Sequence, residues 1–173
     1  MSDLTQWQAV ERIVVALIAG AAIGFEREWS GKAAGIRTHA LVAEGSALFM
    51  IASLLLGGEM WAAGRVYDPS RIASPVVQGI GFIAAGVIIR HNAQIRGLTT
   101  AAGLWVAAAI GLLIGVGFYV VAFAAVATTL IALSLLRLFD LDAVDSEPGA
   151  NVGRGLPLRR IRSRAGKSER EPG

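Results

Sequence analysis

The chain contains no cysteine, which excludes disulfides, thiolate metal sites and a cysteine nucleophile. It has only two histidines, His39 and His91, so a histidine-rich zinc site and a Ser-His-Asp triad have little support. Aromatic residues make up 7% and charged residues 17% of the 173 positions, a low charge for a soluble surface. The N-terminus, MSDLTQWQAVER, lacks the basic region of a cleaved signal peptide, so the first apolar run is expected to stay as a helix. What the chain does have is apolar length. It is 54% hydrophobic, with a mean hydropathy of +0.58 and 21 glycines. Long stretches without charge point to membrane-spanning helices.

A bilayer core about 30 Å thick takes roughly 20 helical residues. Five segments are candidates: Trp7 to Phe25, Thr38 to Gly58, a short one from Ser74 to Ile89, Leu98 to Ile114, and Phe118 to Leu138. The last two come from one apolar block, Leu98 to Phe139, with no charged side chain before Arg137. As one helix it would be about 63 Å long, twice the hydrocarbon thickness, so it must fold back. Gly115 and Gly117 in GLLIGVGFY mark the turn. The fold class is therefore all-α, a polytopic membrane bundle of about five helices. The expected division is a transmembrane domain over 1–145 and a basic tail over 146–173. The tail is rich in Gly, Pro, Ser and charge, and is expected to be disordered.

Lys and Arg bias sets orientation. With five spans, thirteen of the 16 basic residues fall on the side of the 26–37 loop, the 90–97 loop and the tail, and three, Arg12, Arg65 and Arg71, fall on the other. The N-terminus is expected outside and the C-terminus in the cytoplasm.

Small residues are spaced for close helix approach. These are Ala16, Gly20 and Gly24 in the first segment; Gly79, Gly81, Ala85 and Gly86 in the third; and Gly103, Ala107, Gly111 and Gly115 in the fourth. Scaffold packing is the simpler use, and a homo-oligomer face the alternative. A weak internal echo links Gly24-Phe25 with Gly35-Ile36-Arg37-Thr38 and Gly81-Phe82 with Gly97-Leu98-Thr99-Thr100. Such parallel halves can line a site between them.

The stretch GFEREWSGKAAGIRTHALVAEG places Glu26, Arg27, Glu28, Lys32, Arg37, His39 and Glu44 close together. Thr38 is expected to cap the second helix, and Thr99 or Thr100 the fourth, with Gly35 and Gly97 allowing tight turns. Glu44 lies about 9 Å into the second helix and should face the bundle, with Arg37, His39, Arg90 or Arg96 as partner. Its uses are a structural ion pair, a protonated acid, or a proton or cation contact. Asp68 and Arg71 flank the third helix, with Pro69 in its first turn, and a local salt bridge is expected. Gln78 is expected to make an interhelical hydrogen bond. The basic loops and the tail segment LRRIRSRAGK suit anionic lipid or an acidic partner, and nucleic-acid binding is not expected.

These motifs resemble the MgtC/SapB family of bacterial inner-membrane proteins. The resemblance runs through Gly24-Phe25-Glu26-Arg27-Glu28, Lys32 to Val42, Gly45 to Met50, Asp68 to Ala73, Gly79 to Phe82, Gly86 to Arg90, Arg96 to Trp105 and Ala108 to Gly111. It implies a multi-pass protein of the inner membrane with a cytoplasmic C-terminus. It also implies a link to low-magnesium adaptation and, in some pathogens, to survival in host cells. The implied role is regulation of other membrane machinery such as ATP synthase, without enzymatic activity or cofactor. The site residues carried over are Glu26, Arg27, Lys32, Gly35, Arg37, Thr38, Asp68, Arg71, Arg96, Thr99 and Thr100; Glu44 is added from the residues alone. The chain departs from the pattern at Glu44, Pro75 and Ala84-Ala85, and its tail is too short and charged for the ACT-like domain of longer members. A small cation or proton transporter using Glu44 is the alternative. An intramembrane enzyme has little support, since no carboxylate pair or metal-ligand spacing falls within the spans.

Overall fold

A computed structural model describes residues 4–68, 70–91 and 94–138. Five helices follow one another: α1 (Gln6–Trp29), α2 (Ile36–Ala62), α3 (Ser70–Val87), α4 (Leu98–Val116) and α5 (Tyr119–Leu138). Between α3 and α4 lies a two-stranded antiparallel hairpin, β1 (Ile89–His91) and β2 (Gln94–Arg96), pairing Ile89 with Arg96 and His91 with Gln94. The expected 90–97 loop is thus partly a ladder. Among the described residues, α1, α2 and α4 are long and apolar enough to cross a membrane; α3 and α5 carry shorter apolar stretches, Ser74–Val87 and Tyr119–Leu135. The expected tail at 146–173 and Pro69 lie outside the described residues.

The helix ends explain why the expected boundaries shift. Thr5 and Gln8 form a capping box at the start of α1, each side chain accepting the other's backbone N–H, at 3.3 and 3.0 Å. The helix then runs on to Trp29, so Glu26, Arg27 and Glu28 occupy its last turn and not a loop. Gly31, at φ 68°, breaks it. Neither expected threonine cap forms. Gly35 is the N-cap of α2 with no side-chain cap bond of its own; Thr38 lies inside the first turn. Gly97 is the N-cap of α4 at φ 83°, so Thr99 and Thr100 are already helical. A side chain at Gly97 would strike the Val87 carbonyl, which is why a residue without Cβ stands there. At the other end of α4, Gly117 adopts φ 101° and its N–H donates back to the Leu113 and Ile114 carbonyls at 3.1 and 2.9 Å, closing the helix where the fold-back was expected.

The core lies where α1, α2 and α4 cross. Ala16, Ile23, Ala43, Ala47, Leu104, Ala107 and Ile114 are buried there. The glycine stripes of α1 and α4 do the close packing expected of them. A Cβ at Gly20 would collide with the His39 carbonyl and Ala43, and one at Gly111 with the Ala43 carbonyl and Ser46. The stripe of α3 behaves otherwise. A Cβ at Gly79, Gly81 or Gly86 would meet nothing within 4 Å. Gln78 lies on an exposed face as well, so the expected interhelical bond is not made among the described residues. At the end of the bundle remote from Arg27, Arg12 Nη1 donates to the Gly115 carbonyl at 2.9 Å, tying α1 to the α4–α5 turn.

Candidate functional site

The polar groups of the opening stretch converge where α1 ends and α2 and α4 begin. Arg27 is fully buried, its side chain at 0% exposure. Burying a guanidinium is costly unless it is paired and hydrogen-bonded. Glu26 supplies both. Arg27 Nε donates to Glu26 Oε2 at 2.5 Å and Nη2 to Oε1 at 2.9 Å, a bidentate pair. Neighbours in sequence lie about 100° apart around a helix and do not ordinarily face each other. Here two long side chains on the last turn bend together, Arg27 inward and Glu26 at the rim with 14% exposure. Ser30 adds a third donor, its hydroxyl 2.8 Å from Glu26 Oε1.

The second element is His39, one turn into α2 and fully buried. Its Nδ1 lies 3.1 Å from the Gly35 carbonyl, and its Nε2 faces Gly103 of α4, where a Cβ would stand 3.2 Å away. The small residue at 103 therefore makes room for the imidazole. Arg27 Nη1 and His39 Nε2 are both buried with no hydrogen-bond partner among the described residues. Glu28 joins the two helices differently. Its Oε2 accepts the Ile36 N–H at 3.0 Å, doing for α2 what Thr38 was expected to do. A Cβ at Gly35 would meet that carboxylate and displace the Glu28 cap.

The expected site residues divide between this cluster and the surface. Glu26, Arg27 and Gly35 belong to the cluster, and the Lys32 N–H donates to the Arg27 carbonyl at 3.0 Å. Thr100 is buried in the first turn of α4, Thr99 half-buried. Arg37 is exposed and Thr38 half-buried, both lining a cleft between α2 and α3. Arg96 is half-buried on β2. Asp68 and Arg71 lie beyond the other end of α2, joined by a backbone bond from the Arg71 N–H to the Asp68 carbonyl at 3.2 Å. Glu44 is half-buried but makes no ion pair with Arg37, His39 or Arg96. Five residues separate it from His39, about 140° around the helix, so the two face different neighbours; the side chain of Arg90 lies outside the described residues. His39 as a buried member of the cluster, and Glu28 as the cap, were not among the expected site residues. The local signal for His39 was a polar residue one turn past Gly35. Glu28 had none, since its acceptor role spans eight positions. No group of three or more His, Cys, Asp or Glu side chains converges as a metal site among the described residues.

The architecture is that of an α-helical membrane protein with a buried ionic knot at one end of the bundle. Residues 13–140 match the MgtC family, and the chain belongs to it. It is 50% identical over 127 residues to the putative magnesium transporter YhiD of Escherichia coli K12, covering 73% of this chain and 59% of that protein. It is 45% identical over 125 residues to protein MgtC of Salmonella typhimurium LT2, covering 72% of this chain and 51% of that protein. An uncharacterized protein of Synechocystis, slr0014, is 42% identical over 115 residues. The chain thus spans about half to three-fifths of the length of these relatives. No solved structure matches it.

Proposed function

We propose that this chain is a non-enzymatic regulator of other machinery in the bacterial inner membrane, serving adaptation to low magnesium. Its membrane nature and its tie to magnesium homeostasis follow from the family. The regulatory role is our reading, and one observation carries it: the end of the bundle where α1 meets α2 presents the exposed cation Arg37 on a helix start whose Ile36 N–H is held by Glu28, beside the buried Arg27 and its partner Glu26. The Glu28 contact fixes the helix start from which the Arg37 side chain projects toward a partner. On the charge bias, five spans place this end in the cytoplasm with the tail. Anionic lipid on the basic loops and tail, and a membrane complex such as ATP synthase, are the partners proposed.

The test is growth of a strain lacking the gene in limiting magnesium. Rescue by the wild-type chain is expected, together with failure of Arg37→Glu and Arg96→Glu variants that still reach the membrane. Full rescue by both variants would overturn the reading. A second reading, a cation or proton transporter, is favoured by two observations: Glu44 is half-buried with no ion pair among the described residues, and the E. coli relative is named a putative magnesium transporter. It predicts protein-dependent magnesium flux into liposomes that Glu44→Gln abolishes.

A further inference from the structure

The flank of α2 that turns away from α1 and α4 is not covered by packing. Between it and α3 runs a cleft of about 880 Å3, within the range of roughly 300–1,000 Å3 typical of ligand pockets. Its walls are apolar, with Leu41, Phe49, Ile80 and Ile83 facing the gap. Two glycines open it, one on each helix. A Cβ at Gly45 or at Gly79 would meet nothing within 4 Å. Ser46 is closed off by its own helix, its hydroxyl donating to the Val42 carbonyl at 2.8 Å.

Charge enters this cleft at one place. Arg37 and Thr38 line its mouth, and no acidic side chain lines it among the described residues. Arg37 is exposed and makes no ion pair or hydrogen bond among the described residues. Both residues lie in the first turn of α2, where Glu28 takes the Ile36 N–H and the next N–H groups have no intrahelical acceptor, at the helix end whose dipole favours an anion. From Arg37 to Phe49 the cleft extends twelve residues along α2, about 18 Å. Half of a bilayer core is about 15 Å. A cationic mouth at one end and an apolar channel one leaflet deep behind it match a single lipid in both chemistry and length.

We propose that the α2–α3 cleft is a binding site for one anionic phospholipid, its phosphate on Arg37 and Thr38 and an acyl chain between Leu41, Phe49, Ile80 and Ile83. A helix of a second copy fits less well, because it would cover Arg37 with apolar surface and bring no countercharge. The site goes beyond the regulatory reading; only its assignment to the cytoplasmic leaflet rests on the orientation proposed above. It also gives the uncovered Gly79 of α3 a use that packing does not.

The test is native mass spectrometry of the purified full chain titrated in detergent with phosphatidylglycerol and, separately, phosphatidylcholine. One phosphatidylglycerol is expected to be retained per chain, about tenfold more tightly than phosphatidylcholine, the worth of one charge-assisted contact. Arg37→Ala should bring phosphatidylglycerol down to the phosphatidylcholine level. Gly79→Leu, which fills the cleft from α3, should remove retention of both, and Gly45→Leu repeats the experiment from α2 should the first variant fail to fold. Arg65→Ala, a cation lost outside the cleft, should change nothing. Equal retention of the two lipids by the wild type overturns the proposal, and so does unchanged phosphatidylglycerol retention in the Arg37 and cleft-filling variants. A dimer that Gly79→Leu dissociates, with no lipid retained by either form, would overturn it in favour of a second copy. The readout requires no magnesium phenotype, so it fails or succeeds separately from the regulatory role.

Discussion

The two sides of α2 pack by opposite rules. Toward α1 and α4, backbones approach so closely that a methyl group at Gly20 or Gly111 would overlap a carbonyl. Toward α3, Gly45 and Gly79 face empty space. In lipid, apolar surface alone does not draw helices together, so small residues permit contact without causing it. The difference lies in the polar groups. The α1–α2–α4 junction contains Arg27, Glu26, His39 and the Glu28 cap, whereas the α2–α3 interface contains no ion pair among the described residues. Among the described residues the polar tie from α1 to α2 is the Glu28 carboxylate on the Ile36 N–H, and it fixes a junction that glycines merely allow.

The comparison is broken most severely at Arg27. Replacing it with Met leaves the Glu26 carboxylate at the rim of the core without its bidentate guanidinium partner. Removing one partner of a buried pair costs about 3–5 kcal/mol, while replacing both by apolar or neutral groups is often close to neutral. Arg27→Met should therefore lower the unfolding temperature in detergent strongly, and the double variant Glu26→Gln, Arg27→Met should recover most of the loss. A single variant as stable as the wild type would show that the knot does not hold the junction.

Much of this junction was legible in advance, and the reasons for the rest are physical. The apolar runs located all five helices, because length and hydropathy are local properties, and Gly117 falls where an overlong block had to reverse. The concentration of charge near Glu26 and Arg27 marked the site. The caps were misjudged because threonine and glycine compete for the same positions, and tertiary contact decided for glycine at 35 and 97. Here Glu28 reaches across from the preceding helix, which no short pattern records. His39 was visible as a residue but not as a buried one, since its burial depends on Gly103, 64 positions away. The hairpin at 89–96 escaped notice because its strands are three residues each, too short for an alternating pattern. Both α3 and α4 carry several small residues, and whether a given glycine is packed depends on the neighbouring helix.

A milder break uses Gly111→Ala. The added methyl would press on the Ala43 carbonyl and Ser46 across the α2–α4 crossing. Overpacking of this kind costs about 1–3 kcal/mol, because backbone must move to relieve it. Thermal unfolding in detergent or nanodiscs should register the loss, with the helical content of the folded form unchanged. Wild-type stability here would mean that the crossing has slack, and the contrast with α3 would weaken.

The smallest effect sharpens the comparison by reversing its sign. Gly79→Ala places the same methyl in the open cleft, where nothing lies within 4 Å. No neighbour has to give, and alanine loses less backbone freedom than glycine on joining a helix, a gain of at most about 1 kcal/mol. The variant should be as stable as the wild type or slightly more so. Measured beside Gly111→Ala under the same conditions, the two identical substitutions should shift the unfolding temperature in opposite directions. A destabilised Gly79→Ala would mean that α3 closes onto α2 in the bilayer, and that the cleft is shallower than its lining residues imply.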